Sequence, residues 1–152
     1  MTINDTLKDS VLVIVGCGRL GSYLANTLSR LGAGVVVIDR RAAAFENLSP
    51  EFSGFTIEGD ATEFETLKSA KAEKADFLVA ATEDDNVNIL AAQIAREVFQ
   101  VPRVLARIFD MRREAFLAAK GIDVVCPTSV VGLLFLDLLR HGPANGQAGE
   151  AS

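Results

Sequence analysis

Residues Val11 to Asp39 read VLVIVGCGRLGSYLANTLSRLGAGVVVID. A β-branched apolar run leads into Gly16-x-Gly18-x-x-Gly21, a helical pattern follows, and a second apolar run closes on an acid. This is the fingerprint of a βαβ unit that holds a dinucleotide or a related adenine nucleotide. Gly16 permits the tight turn out of the strand, Gly18 lets the backbone approach a pyrophosphate, and Gly21 lets the helix pack closely on the sheet. The start of that helix presents unpaired N–H groups and a positive dipole end, with Arg19 at its mouth to add a full charge. Asp39 stands near the spacing of roughly 20 residues at which a carboxylate bonds a ribose diol.

Working outward, short β-branched runs keep alternating with helical periodicity. Strands are predicted at Val11–Val15, Val35–Ile38, Phe55–Glu58, Phe77–Ala80, Arg103–Arg107 and Val124–Cys126. Such alternation implies a Rossmann-like α/β fold, a doubly wound parallel six-stranded sheet with helices on both faces. Right-handed crossovers then give the strand order 3-2-1-4-5-6, which puts a crevice at the carboxyl ends of strands 1 and 4. After the fourth strand, Val87, Leu90, Ala91, Ile94, Ala95 and Val98 recur at helical spacing and predict one buried stripe. Thr82-x-x-Asp85 and Thr62-x-x-Glu65 resemble capping boxes for the fourth-strand and third-strand helices. The domain is predicted to run over 11–140, after a polar extension at 1–10 and before a small, polar, disordered tail at 141–152.

Bulk properties narrow the function. The 152 residues are 49% apolar and carry a net charge of −5, which argues for one globular domain and against nucleic acid or an anionic membrane as partner. Cys17 and Cys126 lack metal-ligand or disulfide spacing, and His141 is the only histidine, so no metal site is expected. The N-terminal MTINDTLKDS does not resemble a signal peptide, and the longest uncharged apolar stretch, Val124 to Leu136, is shorter than the roughly 18 residues that span a bilayer. A cytoplasmic protein without direct membrane insertion is therefore expected. Val130 to Leu139 reads VVGLLFLDLL and is apolar on nearly every face, more than one sheet can cover. Val131, Leu134, Phe135 and Leu138 are the predicted contacts with a second copy or another subunit.

Several linked motifs together resemble the nucleotide-binding domain of K⁺-transport regulators, the TrkA N-terminal or RCK family. They are GCGRLG at Gly16–Gly21, VID ending at Asp39, GDAT at Gly59–Thr62, AATEDDNVN at Ala80–Asn88, and the Arg107 strand followed by GIDVVCPT at Gly121–Thr128. The resemblance runs from about Val11 to Leu139 and implies a unit on the cytoplasmic side of a membrane K⁺ channel, transporter or antiporter. It implies binding of NAD(H), ATP, ADP or AMP, with ligand exchange gating transport. By the same resemblance Gly16, Gly18, Arg19, Leu20 and Gly21 would hold phosphates, Asp39 the adenosine ribose, and Arg40 would flank ribose or adenine. Asp60 and Ala61 would meet the adenine edge, Thr82 would line the far side of the phosphates, and Arg107 would reach the distal ones. The apolar last helix would cross to a partner subunit, making a dimer the minimum assembly. Some members bind a divalent cation through an acid after the late proline, but here Thr128 follows Pro127, and no such site is implied.

Two other readings remain open. An NAD-dependent oxidoreductase shares the first βαβ unit, yet Tyr23 lacks a lysine partner at Tyr-x-x-x-Lys spacing and no residue is placed as a general acid for hydride transfer. A scaffold subunit with an empty pocket is the third. Asp39 disfavours a 2′-phosphate, with Arg40 and Arg41 acting against it, and does not choose between NAD and ATP.

Overall fold

The structure is a computed structural model and describes residues 2–142. Six parallel strands, β1 (Val11–Val15), β2 (Gly34–Asp39), β3 (Phe55–Glu58), β4 (Phe77–Ala80), β5 (Arg103–Arg107) and β6 (Ile122–Val125), form one sheet in the order β3-β2-β1-β4-β5-β6. The doubly wound order expected from right-handed crossovers is the observed one. Its switch point lies between β1 and β4, where Val15 pairs with both Ile38 and Ala80.

Alternation along the strands builds two cores. Leu12 and Ile14 face one side with Val35 and Val37, against Ala25 and Leu28 of helix α2 (Arg19–Arg30). Val13 and Val15 face the other with Leu78, Ala80, Val104, Ala106 and Ile122. That second core is completed by Leu67 of α3 (Phe64–Ser69), by the alanines of α4 (Asp85–Gln93), and by Leu117 of α5 (Glu114–Ala119). A 3-10 turn at Ala42–Asn47 adds Ala44 to the first core. On that first face the cover ends near β1: Val79 and Leu105 are half-buried and Val125 is 43% exposed.

The last helix, α6 (Pro127–His141), has Pro127 in its first turn and buries no residue. Val130, Val131, Leu133, Leu134, Phe135, Leu136 and Leu139 are each at least half exposed. An exposed apolar surface of this extent marks an interaction site. Among the described residues, no helix is long and apolar enough to cross a membrane.

Several local expectations need correction. The polar segment 1–10 contains a short helix, α1 (Ile3–Leu7), because Thr2 and Asp5 form a reciprocal cap in which Asp5 N–H donates to Thr2 Oγ1 at 3.3 Å and Thr2 N–H to Asp5 Oδ2 at 3.2 Å. Leu7 then packs on the first core. The α4 cap is Asp84, whose Oδ1 accepts from Asn86 N and Val87 N; Thr82 is not the cap, because its hydroxyl turns to Asn88. Thr62 caps no helix either: the N-cap of α3 is Glu63, and the Thr62 N–H and hydroxyl both donate to Asp60 in the turn before it. The buried stripe after β4 is Asn88, Ala91, Ala92 and Ala95, whereas Leu90 and Val98 are 45% and 56% exposed. There the helix widens to a π turn over Ile94–Val98, and small side chains let its backbone sit close to the sheet. β6 begins at Ile122, two residues before the predicted start, and Cys126 has left it to open α6. Asp123 obscured that strand; it is explained by a 2.9 Å ion pair with Arg103 on the neighbouring β5. Of the predicted tail, only His141, which ends α6, and Gly142 lie within the described residues.

Candidate nucleotide site

Three glycines shape the loop after β1 in different ways. Gly16 has φ +99°, a conformation strained for any L side chain, and a Cβ there would press on the Thr82 backbone at 3.1 Å. A Cβ on Gly21 would overlap the Gly16 carbonyl oxygen outright and stand 2.8 Å from its carbon. Gly18 is the N-cap of α2, and a Cβ on it would meet nothing within 4 Å. The first and third glycines are therefore required by the protein's own packing. The second borders open space, the condition for a ligand to approach the backbone.

The loop is held from beneath by Asp39 at the end of β2. Its Oδ2 accepts from Cys17 N at 2.8 Å and its Oδ1 from Arg41 N at 2.9 Å. Asn47 adds a second tie, donating from Nδ2 to the Cys17 carbonyl at 2.9 Å. Burial, with the nearby Asp39 charge, pushes the Cys17 thiol up to about 11, so this cysteine is an inert packing group. A carboxylate offers about four lone-pair positions. Asp39 retains acceptor capacity after fixing the loop.

A cleft with two adjoining lobes opens at the switch point. The larger, about 670 Å³, is lined by Gly16, Asp39, Arg40, Arg41, Gly59, Ala61, Thr82 and Asp84, with Val15, Ile38 and Val87 as apolar floor. The smaller, about 460 Å³, is lined by Gly16, Cys17, Gly18, Arg19, Asp39, Arg41, Thr82 and Arg107. Glu83 borders both. Both volumes fall in the usual range for small-molecule sites. Arg19, Arg41 and Arg107 all line the smaller lobe and outnumber its two acids, Asp39 and Glu83. An anion is the complementary occupant there, and an apolar ring with a diol fits the larger lobe.

The structure thus brings together Gly16, Gly18, Arg19, Asp39, Arg40, Ala61, Thr82 and Arg107 around one cleft. Gly21 acts from behind it, and Leu20, half-buried, is not part of its lining. Asp60 is also outside the lining: its Oδ1 accepts from Thr62 N at 2.9 Å and Thr62 Oγ1 at 2.6 Å. Those bonds hold its carboxyl below the usual range and make it a turn-forming acid at the start of the β3–α3 loop. Arg107 lies across the end of β4, its Nε donating to the Thr82 carbonyl at 3.1 Å and Nη2 to that of Ala81 at 3.0 Å, with Phe109 beneath the guanidinium.

Sequence reasoning missed Asn47 and Asn88. Asn88 left a trace, a polar residue at a helical position flanked by apolar ones. Asn47 left none, since its partner is a backbone carbonyl brought near only by the fold.

The family model for the TrkA-N domain matches residues 12–128, most of the chain and all of this cleft. The chain belongs to the TrkA-N domain family. It is 43% identical over 114 residues to the Trk system potassium uptake protein TrkA of Streptomyces coelicolor, an alignment covering 75% of this chain and 51% of that protein. This TrkA-N domain therefore spans about half the length of that relative. Among solved structures it is similar to GsuK bound to ADP, with a TM-score of 0.74 and 31% identity over 93% of this chain and 36% of the other. The GsuK channel bound to NAD gives a TM-score of 0.73 and 31% identity, over 88% of this chain and 24% of the channel.

Proposed function

We propose that this TrkA-N domain is the ligand-sensing unit of a K⁺ transport system, binding an adenine nucleotide and passing its occupancy to a membrane channel, transporter or antiporter without catalysing a reaction. The carrying observation is the cleft itself. Gly18 leaves the backbone open to a pyrophosphate, three arginines line the lobe beside it, and Asp39 stands at the end of β2. Ala61 and Arg40 would border the adenine and ribose, Asp39 would accept from the ribose hydroxyls, and Arg19, Arg41 and Arg107 would neutralise the phosphates. NAD(H) and ATP, ADP or AMP all carry that adenosine and phosphate. The ADP-bound and NAD-bound relatives support the same ligand class for this chain.

Transmission requires a second body. Helix α6 buries nothing on its own chain, and the sheet face over β4–β6 is only partly covered. A second copy supplying its α6 would cover apolar surface on both, so the working unit is at least a homodimer. Val131, Leu134, Phe135 and Leu138 would be its contacts. Placement on the cytoplasmic face of the membrane, through the transport protein, follows from this reading.

The test is calorimetric titration of the stripped protein with NADH, NAD⁺, ATP, ADP and AMP in turn. Micromolar binding of one or more, with no absorbance change of NADH on incubation, is the expected result. Binding of none overturns the nucleotide reading and leaves a scaffold; turnover of NADH with a substrate overturns the regulatory one.

A further inference from the structure

Asn88 is fully buried, one of two buried polar residues among the described residues, and it does not itself line the cleft, although its partners Thr82 and Arg107 do. Its carboxamide is nonetheless saturated. Oδ1 accepts from Thr82 N at 3.0 Å and from Thr82 Oγ1 at 2.6 Å, while Nδ2 donates to the carbonyls of Thr82 at 2.9 Å and Arg107 at 2.7 Å. One side chain on α4 thus reads all the polar groups of Thr82 and clamps them to the end of β5. A buried amide leaving none of its four bonds unmade is costly to disturb.

The consequence lies one bond further on. The Thr82 carbonyl that Asn88 fixes is also the acceptor for Arg107 Nε, and the neighbouring Ala81 carbonyl holds Arg107 Nη2. Asn88 therefore sets the backbone on which the guanidinium rests and holds the carbonyl of the same arginine. Arg107 is fixed at both its main chain and its tip.

We infer that Asn88 is a positioning residue for phosphate recognition: without touching the ligand, it aims Arg107 into the smaller lobe and so sets the preference for a second phosphate. The inference rests on the nucleotide reading above and adds to it a residue and a selectivity. Asn88 acts through Arg107, so its effect vanishes where Arg107 is absent. A residue that merely supports the fold would weaken all ligands alike.

The experiment is a double-mutant cycle on the full chain, with ADP and AMP as probes in calorimetry and circular dichroism to confirm folding. Asn88→Ala should weaken ADP by about tenfold, the usual worth of a displaced charged partner, and AMP by less than about threefold. In the Arg107→Ala background, Asn88→Ala should leave ADP affinity unchanged. Where Asn88→Ala does not fold, Asn88→Asp takes its place, keeping the shape but turning the donor toward two carbonyls into an acceptor. Equal losses for ADP and AMP, or a loss of ADP affinity that persists without Arg107, overturn the inference alone. Wild-type protein that binds neither nucleotide overturns the nucleotide reading and this inference with it.

Discussion

Replacing Gly21 and Gly18 separately by alanine divides the glycine motif into its packing and its binding parts. At Gly21 the added methyl would occupy the space of the Gly16 carbonyl oxygen, and both nearest atoms are main chain, so neither neighbour swings aside as a side-chain tip would. Overpacking of this kind costs about 1–3 kcal/mol, and two backbone contacts put it at the upper end. Alanine in a helix returns about 1 kcal/mol over glycine. The balance is a loss of about 2 kcal/mol, which for a chain of this length lowers the melting temperature by about 4–8 °C. At Gly18 the methyl meets nothing and φ is −80°, so the stability cost is confined to a poorer N-cap, about 0.5–1 kcal/mol. Nucleotide affinity should respond in the opposite order. Gly18→Ala projects a methyl where the phosphates must approach and should abolish measurable binding while the protein remains folded. Thermal melts paired with ADP calorimetry decide it. A Gly21→Ala protein that melts at or above the wild type, or a Gly18→Ala protein that binds ADP normally, would refute the assignment of these roles.

Asp39→Ala should weaken nucleotide binding by about 1–3 kcal/mol and also lower the melting temperature, because Cys17 N–H loses its acceptor; unchanged affinity in calorimetry would remove Asp39 from the site. Glutamate at Leu134 and Leu138, which are 58% and 36% exposed on α6, should each remove about 0.5–2 kcal/mol per protomer of apolar burial from association, and light scattering should show dimer giving way to monomer. A monomer before and after would end the interface proposal. Between pH 9.0 and about 11 the folded protein keeps the Cys17 proton while the unfolded chain has released it. The folded state then binds more protons, and stability falls as pH rises through that window. Urea unfolding at pH 8.5 and 10.5 should show a pH-dependent component that disappears in Cys17→Ala.

What the sequence disclosed follows from the range of the interactions involved. β1, β3, β4 and β5 were legible to the residue; β1 and β4 carry the continuous apolar runs that a central parallel strand requires, while the edge strand β3 and the Arg-flanked β5 keep short β-branched or aliphatic segments between polar boundaries. β6 was displaced by two residues because Asp123 breaks its run, and the arginine that offsets it lies on another strand. The α4 stripe was misplaced for a related reason. Apolar spacing weighted Leu90 and Val98 by their size, whereas the tight approach to β4 and β5 selected Ala91, Ala92 and Ala95, and the π turn rotated Val98 outward. Among the site residues, Asp60 was assigned by motif to the ligand; the motif did not disclose that its Oδ1 is engaged by Thr62 in a two-residue turn or that it stands outside the cleft lining.

The glycine loop and Asp39 were readable because each is a local requirement: a turn, a close approach, an acid at the end of a strand. Arg107 was readable as a site residue, but its anchorage was not, and Asn88 and Asp85 are different in kind, since their partners are mainly backbone groups supplied by other elements. Asp85 shows the point, its two oxygens accepting from Phe109 N at 2.8 Å and Asp110 N at 2.9 Å, so that the first turn of α4 fixes the loop after β5. Together with the Asn88 bonds, this makes the ends of β4, β5 and the start of α4 one hydrogen-bonded body, while the glycine loop is anchored separately to β2 through Asp39. A ligand bridging the two lobes would touch both bodies. Drawing Arg107 toward a phosphate would pull on Thr82 and hence on α4, and an occupant of the larger lobe, lined by Asp39, Asp84 and Val87, would span the same two bodies.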